Sequence, residues 1–261
     1  MEYYFPLQLT YTLLNLFNLI IHTMLETYNE YHLGDNLIHL NYLRRLQLPL
    51  GEDIVHHCNP MHHKQLLPLT YGTAITLADL YIPPSAVNAW IGRDNYFYTH
   101  PLQSNWVLFH LSWFDHLSNL LGIDNPIAVR SDLLFEYFAL NTPLPMSFDT
   151  LIINAEPKSN QLPTFTHEFF NKRIKELLNA GKRVITTNPT GMCLSTLEMG
   201  MDITAIGSLS KYCTHIEGVA TGPMWTTFNV FNLEKIKSRV LYCDIQTVNL
   251  TDNTITKNRL S

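Results

Sequence analysis

Residues Ile203 to Asn229 read ITAIGSLSKYCTHIEGVATGPMWTTFN, and the reading of this stretch decides the fold. Ile203 to Ile206 is an apolar run of strand type, and Gly207-Ser208 is a polar turn. Leu209 to Cys213 suits a short helix, and His215 to Ala220 is a second strand-like run. It ends in Thr221-Gly222-Pro223, with a helix expected from Met224. A strand, a loop of small residues and a helix start present backbone N–H groups to a phosphate. Gly222 permits close approach to the backbone, and Pro223 suits a first helical turn. The same spacing also fits an ordinary βα corner.

Upstream, the same rhythm continues. Thr150 to Asn154, TLIIN, is an apolar strand followed by the polar loop from Glu156 to Asn160. Thr166 to Ala180 is an amphipathic helix with Phe169, Phe170, Ile174, Leu177 and Leu178 inward, stopped by Gly181. Arg183 to Thr187 is the next strand, and Asn188-Pro189-Thr190-Gly191 follows it. Alternating strands and helices imply a parallel sheet, with ligands beyond the carboxyl ends of its strands. Lys158, Thr187, Asn188, Ser208, Lys211 and Thr221 are all expected at such ends.

The first half is less regular. A short extended segment to Tyr31 leads to a turn at Leu33-Gly34-Asp35 and a helix from about Asn36. Leu37, Leu40 and Leu43 share one side of it, and Arg44 and Arg45 are expected in its last turn. Asp35 is either a cap at the helix start or a carboxylate presented at a loop. Ile54-Val55 begins a second strand, followed by His56, His57, Cys58, His62 and His63. That density of histidine invites a metal, but no metal-site spacing is matched, and neighbours on a strand point to opposite faces. Met61 to Leu69 suits a helix, Ala74 to Leu80 and Ala86 to Ile91 suit strands, and Asn105 to Leu121 an aromatic helix. Leu133 to Leu140 suits helix or strand. Pro143 and Pro145 then mark a boundary near residue 145, which separates a lobe over 1–145 from one over 146–261.

The chain has 261 residues, 46% hydrophobic and 15% charged, with a formal charge of −5. No basic face stands out, so nucleic acid is not an expected partner. Four cysteines without C-x-x-C spacing read as thiols of a cytoplasmic chain. Leu7 to Leu25 carries apolar residues at helical spacing but also Gln8, Asn15, Asn18 and His22. It is read as a helix packed on the protein, with peripheral membrane contact as the alternative.

Three of these stretches together resemble a known family. Tyr31 to His39, YHLGDNLIH, is similar to the L-G-D loop of heptosyltransferase-like glycosyltransferases of family nine. Gly218 to Met224, GVATGPM, resembles their D-T-G-x-x-H donor loop, and Lys158 falls where that family often has a lysine. The aspartate of that loop is Ala220 here, and no histidine follows in its place. The resemblance covers roughly residues 26 to 230. It implies a GT-B fold: two Rossmann-like lobes facing a cleft, with the acceptor side N-terminal and the nucleotide sugar on the C-terminal lobe. It implies inverting transfer of a sugar from a nucleotide-diphosphate sugar to a carbohydrate or glycolipid hydroxyl, without metal or cofactor. Asp35 is then the base, flanked by Gly34 and Asn36. Lys158, Thr221 and Gly222 hold donor phosphate, with Thr187, Asn188, Ser208, Lys211 and Pro223 nearby. An epimerase or hydrolase of nucleotide sugars and a non-catalytic nucleotide-sugar-binding relative remain the alternatives.

Overall fold

In the computed structural model the described residues are 24–50, 53–82, 84, 87–88, 114–119, 146–158, 162, 164–229, 232, 238–242 and 256–258. They form two parallel sheets. In the first, β1 (Leu25–Asn29) leads through α1 (Leu33–Leu50) to β2 (Ile54–Cys58). The chain continues through α2 (Pro60–Leu66) and a 3-10 turn (Leu67–Thr70) to β3 (Ile75–Asp79). It then returns to β4 (Val87–Asn88), and the strand order is β3-β2-β1-β4. In the second sheet, β5 (Thr150–Ile153) is followed by α3 (His167–Asn179), β6 (Val184–Thr186), α4 (Ile203–Ser210) and β7 (His215–Val219). The short helix α5 (Gly222–Thr226) precedes β8 (Ser238–Tyr242) and β9 (Thr256–Asn258), giving the order β6-β5-β7-β8-β9.

Each order contains a reversal. The first sheet grows outward from β1 to β3 and then restarts on the other side of β1. The second grows from β5 to β6 and restarts at β7. In doubly wound sheets the crevice for a ligand opens at the carboxyl ends of the strands flanking such a reversal. Those ends carry the loops at 30–32, 154–158 and 220–221.

The packing follows the apolar pattern. Leu37, Leu40, Leu43 and Leu46 of α1 are fully buried, and each contributes about 1.5–3 kcal/mol by leaving water. Leu151, Ile152 and Ile153 are equally buried, as expected for a strand covered on both faces. Thr166 caps α3 by accepting from the Phe169 N–H, and Phe170 and Ile174 pack inward. Arg173 of α3 donates from Nε to both Glu217 oxygens at 3.0 and 3.2 Å, and the Tyr242 hydroxyl donates to Glu217 Oε2 at 3.1 Å. That cluster ties α3 to β7 and β8.

Several expectations are corrected. Ile203 to Ile206 is not a strand, and Leu209 to Cys213 is not a separate helix. Ile203 to Ile206, with Leu209 and Ser210, belongs to α4, which ends at Ser210 and whose N-cap Asp202 accepts from the Ala205 N–H at 2.8 Å. β-branched residues favour strands only weakly, and burial on nearly every side of α4 overrides that preference. The helix α1 begins at Leu33, not Asn36, so Gly34 and Asp35 lie in its first turn. It runs to Leu50, which puts Arg44 and Arg45 in its interior, where Arg44 donates to the Leu69 carbonyl. Residues 114–119 are helical, with Phe114 and Leu117 buried. The expectations for residues 7–23, for 105–113, for 133–140 and for the boundary near 145 lie outside the described residues. Among the described residues, no helix is long and apolar enough to cross a membrane.

Candidate functional site

The first turn of α1 sits at the carboxyl end of β1. Asp35 Oδ2 accepts from the His32 backbone N–H at 3.2 Å, closing the helix start from within. The His32 ring approaches the same oxygen, Nδ1 at 3.7 Å. The hydrogen bond to Asp35 raises the His32 pKa, against the opposing effect of burial. The Asp35 side chain is about a quarter exposed, so its carboxylate is held but reachable.

Beneath this turn lies a buried polar network. Asn36 Nδ2 donates to the carbonyls of Tyr31 and His32, at 3.3 and 3.0 Å. Its Oδ1 stands 2.9 Å from His56 Nε2, and Thr27 Oγ1 stands 3.1 Å from His56 Nδ1. Because Asn36 Oδ1 can only accept, His56 carries its proton on Nε2, and the Thr27 hydroxyl donates to Nδ1. Burial, with His57 and His63 adding to it, lowers the His56 pKa to about 3, so the ring is neutral. His39 packs edge-on against His56 with ring centroids 4.5 Å apart. Both its ring nitrogens are buried with no partner among the described residues. Burial, then His56, holds its pKa well below the ordinary value. His62 donates from Nε2 to the Tyr31 carbonyl at 3.3 Å, and burial lowers its pKa.

The second sheet meets this turn directly. A Cβ placed on Gly34 would lie 3.2 Å from Trp225 Cδ1 and 3.7 Å from Gly222 Cα. A Cβ on Gly222 would lie 3.1 Å from Ile203 Cδ1 and 3.5 Å from both Leu33 Cγ and Leu37 Cδ1. The absence of side chains at Gly34 and Gly222 is what lets the two loops touch. A second bridge joins the sheets nearby, where the Ile203 N–H donates to Gln65 Oε1 at 2.8 Å.

The remaining expected residues divide. Thr221 and Pro223 flank Gly222 at the end of β7, and the buried Thr221 hydroxyl has no partner among the described residues. Lys158 follows β5, whose Ile153 pairs with Gly218 of β7, and its side chain is 79% exposed with Nζ 4.0 Å from Glu156. Thr187 and Asn188 are at the end of β6 but are engaged. Thr187 Oγ1 donates to Asn154 Oδ1 at 3.0 Å, and the Asn188 N–H donates to the same oxygen at 2.8 Å. Ser208 is fully buried inside α4 rather than at a strand end. Lys211 follows α4 and precedes β7, and the neighbouring Tyr212 carbonyl accepts from the Phe148 N–H ahead of β5. It therefore belongs to the amino edge of the sheet, away from the loops, and its Nζ lies 4.9 Å from the centre of the Tyr212 ring. Asn36 is buried within its own lobe. The sequence marked Asn36 only as a neighbour of Asp35 and His56 only as a possible metal ligand, and it did not mark Trp225 or Thr27. Among the described residues, no three His, Cys, Asp or Glu side chains gather as a metal-binding group.

Comparison of the sequence with models of known protein families, and with curated proteins, finds no match. Comparison of the structure does. The E. coli heptosyltransferase WaaC with ADP is similar with a TM-score of 0.55 at 12% identity, over 91% of this chain and 93% of that one. WaaC with ADP-2-deoxy-2-fluoro heptose gives 0.54. The iron-containing dodecameric glycosyltransferase TibC, from enterotoxigenic E. coli, gives 0.53 at 16% identity over 91% of this chain. The chain spans 63% of the length of TibC. The fold is thus α/β and GT-B-like, the fold of the heptosyltransferases whose loops the sequence resembles.

Proposed function

We propose that the chain is an inverting glycosyltransferase that moves a sugar from a nucleotide-diphosphate sugar to an acceptor hydroxyl without a metal ion. One observation carries this reading: the first turn of α1, with Asp35, lies against the Thr221-Gly222 loop through the glycine contact. In-line displacement needs a base for the acceptor proton on one side of the anomeric carbon. It needs cationic or N–H groups for the departing diphosphate on the other. Asp35 takes the proton as the acceptor oxygen bonds to the anomeric carbon and the bond to the diphosphate breaks. Lys158 and the backbone of Thr221-Gly222 stabilise the charge that develops on the leaving group. Thr187 and Asn188 hold the loop after β5 through Asn154, and Ser208 and Lys211 take no part. The acceptor is a carbohydrate or a glycolipid, and residues 7–25 supply any contact with a membrane surface.

Incubation with a panel of nucleoside-diphosphate sugars that includes ADP-heptose, with and without glycoside and glycolipid acceptors, tests the reading. Nucleotide release that depends on the acceptor and survives chelator supports it. Turnover of the donor without an acceptor, to free sugar and nucleotide or to an isomeric nucleotide sugar, assigns the chain to hydrolysis or epimerisation. Ala220, standing where the family has aspartate, favours one further reading, a protein that binds the donor without turnover. Binding without release under every acceptor would establish that reading instead.

A further inference from the structure

We propose that Thr27, His56 and Asn36 are positioning residues that hold the Asp35 carboxylate in its working orientation. The inference rests on Asp35 being the base. The three side chains come from β1, β2 and α1, and all are at most 1% exposed. They run as one directed series of hydrogen bonds. The Thr27 hydroxyl donates to His56 Nδ1, His56 Nε2–H donates to Asn36 Oδ1, and Asn36 Nδ2 donates to the Tyr31 and His32 carbonyls. Every member has a fixed donor or acceptor role, so the series admits one arrangement. Its last link fixes the peptide units at Tyr31 and His32. The His32 N–H is the group that holds Asp35 Oδ2 at 3.2 Å. The loop is thereby tied to the central strands of its sheet and not to the surface. The neutral state of His56 sets the direction of the series, because a protonated ring would donate from Nδ1 as well and reverse the bond with the Thr27 hydroxyl. A scaffold with no other task would have no need to end on the backbone that orients a partly exposed carboxylate.

The relay is tested on the full chain with four variants. His56→Leu removes the donor to Asn36, His56→Gln keeps a donor of similar reach, Thr27→Val keeps shape and strand preference, and Asp35→Asn reports on the base itself. The first readout is the His32 amide resonance and its hydrogen exchange. His56→Leu and Thr27→Val are expected to shift that resonance and raise its exchange, while His56→Gln stays close to wild type. The second readout is turnover of ADP-heptose, or of the panel donor that the wild type uses, with ADP affinity measured alongside. His56→Leu is expected to lower kcat about tenfold or more, since small misplacement of a catalytic group is costly. The donor KM and ADP affinity stay within about twofold, and His56→Gln recovers most of the rate. An unchanged His32 amide in Thr27→Val and His56→Leu overturns the relay, whatever the rates. A shifted amide with an unchanged kcat overturns it too, provided Asp35→Asn abolishes turnover. Should Asp35→Asn keep its rate, the base assignment fails while the amide readout still decides the geometry. Thr27→Val covers the case in which His56→Leu does not fold.

Discussion

The two sheets share one winding and are filled differently. The central strands of the second sheet bury Leu151, Ile152, Ile153, Ile216 and Val219, with Thr150 and the Arg173-paired Glu217 as their polar members. Those of the first bury Thr27, Asn29, His56 and His57, and the helix above them buries Asn36, His39 and Asn41. An apolar interior gains stability by leaving water and is indifferent to pH. A polar interior must satisfy every group, and it titrates where histidine is involved. The comparison teaches that the Thr221-Gly222 loop is placed by shape, through glycine contacts and close strands. The loop that leads to Asp35 is placed by directed hydrogen bonds.

The largest expected effect tests placement by shape. A Cβ on Gly218 would lie 2.3 Å from the Ile153 carbonyl oxygen, inside the pairing of β5 with β7. Backbone cannot yield as a side-chain tip can, so Gly218→Ala should cost about 3 kcal/mol or more in urea unfolding. A loss under about 1 kcal/mol would mean that the two strands are not held at this distance.

The next effect tests the polar interior. His39 and His56 have folded pKa values below those of the unfolded chain. Below pH 6.5 the unfolded state therefore binds protons that the folded state does not, and stability falls as pH falls. The loss from His56 accumulates from pH 6.5 down to about 3, and His39 adds to it in the same direction. Hydrogen exchange at pH 7 and pH 5, corrected for intrinsic rates, should show α1, β1 and β2 losing protection before β5 and β7. Equal loss in both sheets would break the contrast.

A smaller effect sharpens it. His39 has two buried ring nitrogens without a partner among the described residues. Replacing such a group by an apolar one of similar size is neutral or stabilising. His39→Leu should leave stability at pH 7 unchanged or raise it by about 1 kcal/mol, and it should flatten the acid loss. A marked loss at pH 7 would reveal a partner that holds the ring.

What was legible in the sequence follows the same division. The strands at Thr150, Val184 and His215, and the helix from His167, were readable because their apolar runs have the right length and clear stops. The approach of Gly34 to Gly222 was not readable as a contact, although both loops were marked, since nothing local encodes a meeting of residues so far apart in the chain. α4 was misread because Ile203-Thr204-Ala205-Ile206 has strand propensity. The overlooked signal was Asp202, which caps the helix. The relay was invisible for a physical reason. Thr27, Asn36 and His56 lie on three elements, and only the parallel register that sets Thr27 opposite His56 brings them together. The histidine run drew attention as a possible metal site, and its members instead satisfy backbone and side-chain partners within the lobe.

The most direct test of the account is Asp35→Asn. Asparagine keeps the size of the side chain and an oxygen for the His32 N–H, so the start of α1 survives. The account predicts turnover lowered at least about a hundredfold, with affinity for the donor's nucleoside diphosphate and melting temperature close to wild type. A variant that keeps its rate and only melts earlier would make Asp35 a helix cap and contradict the account.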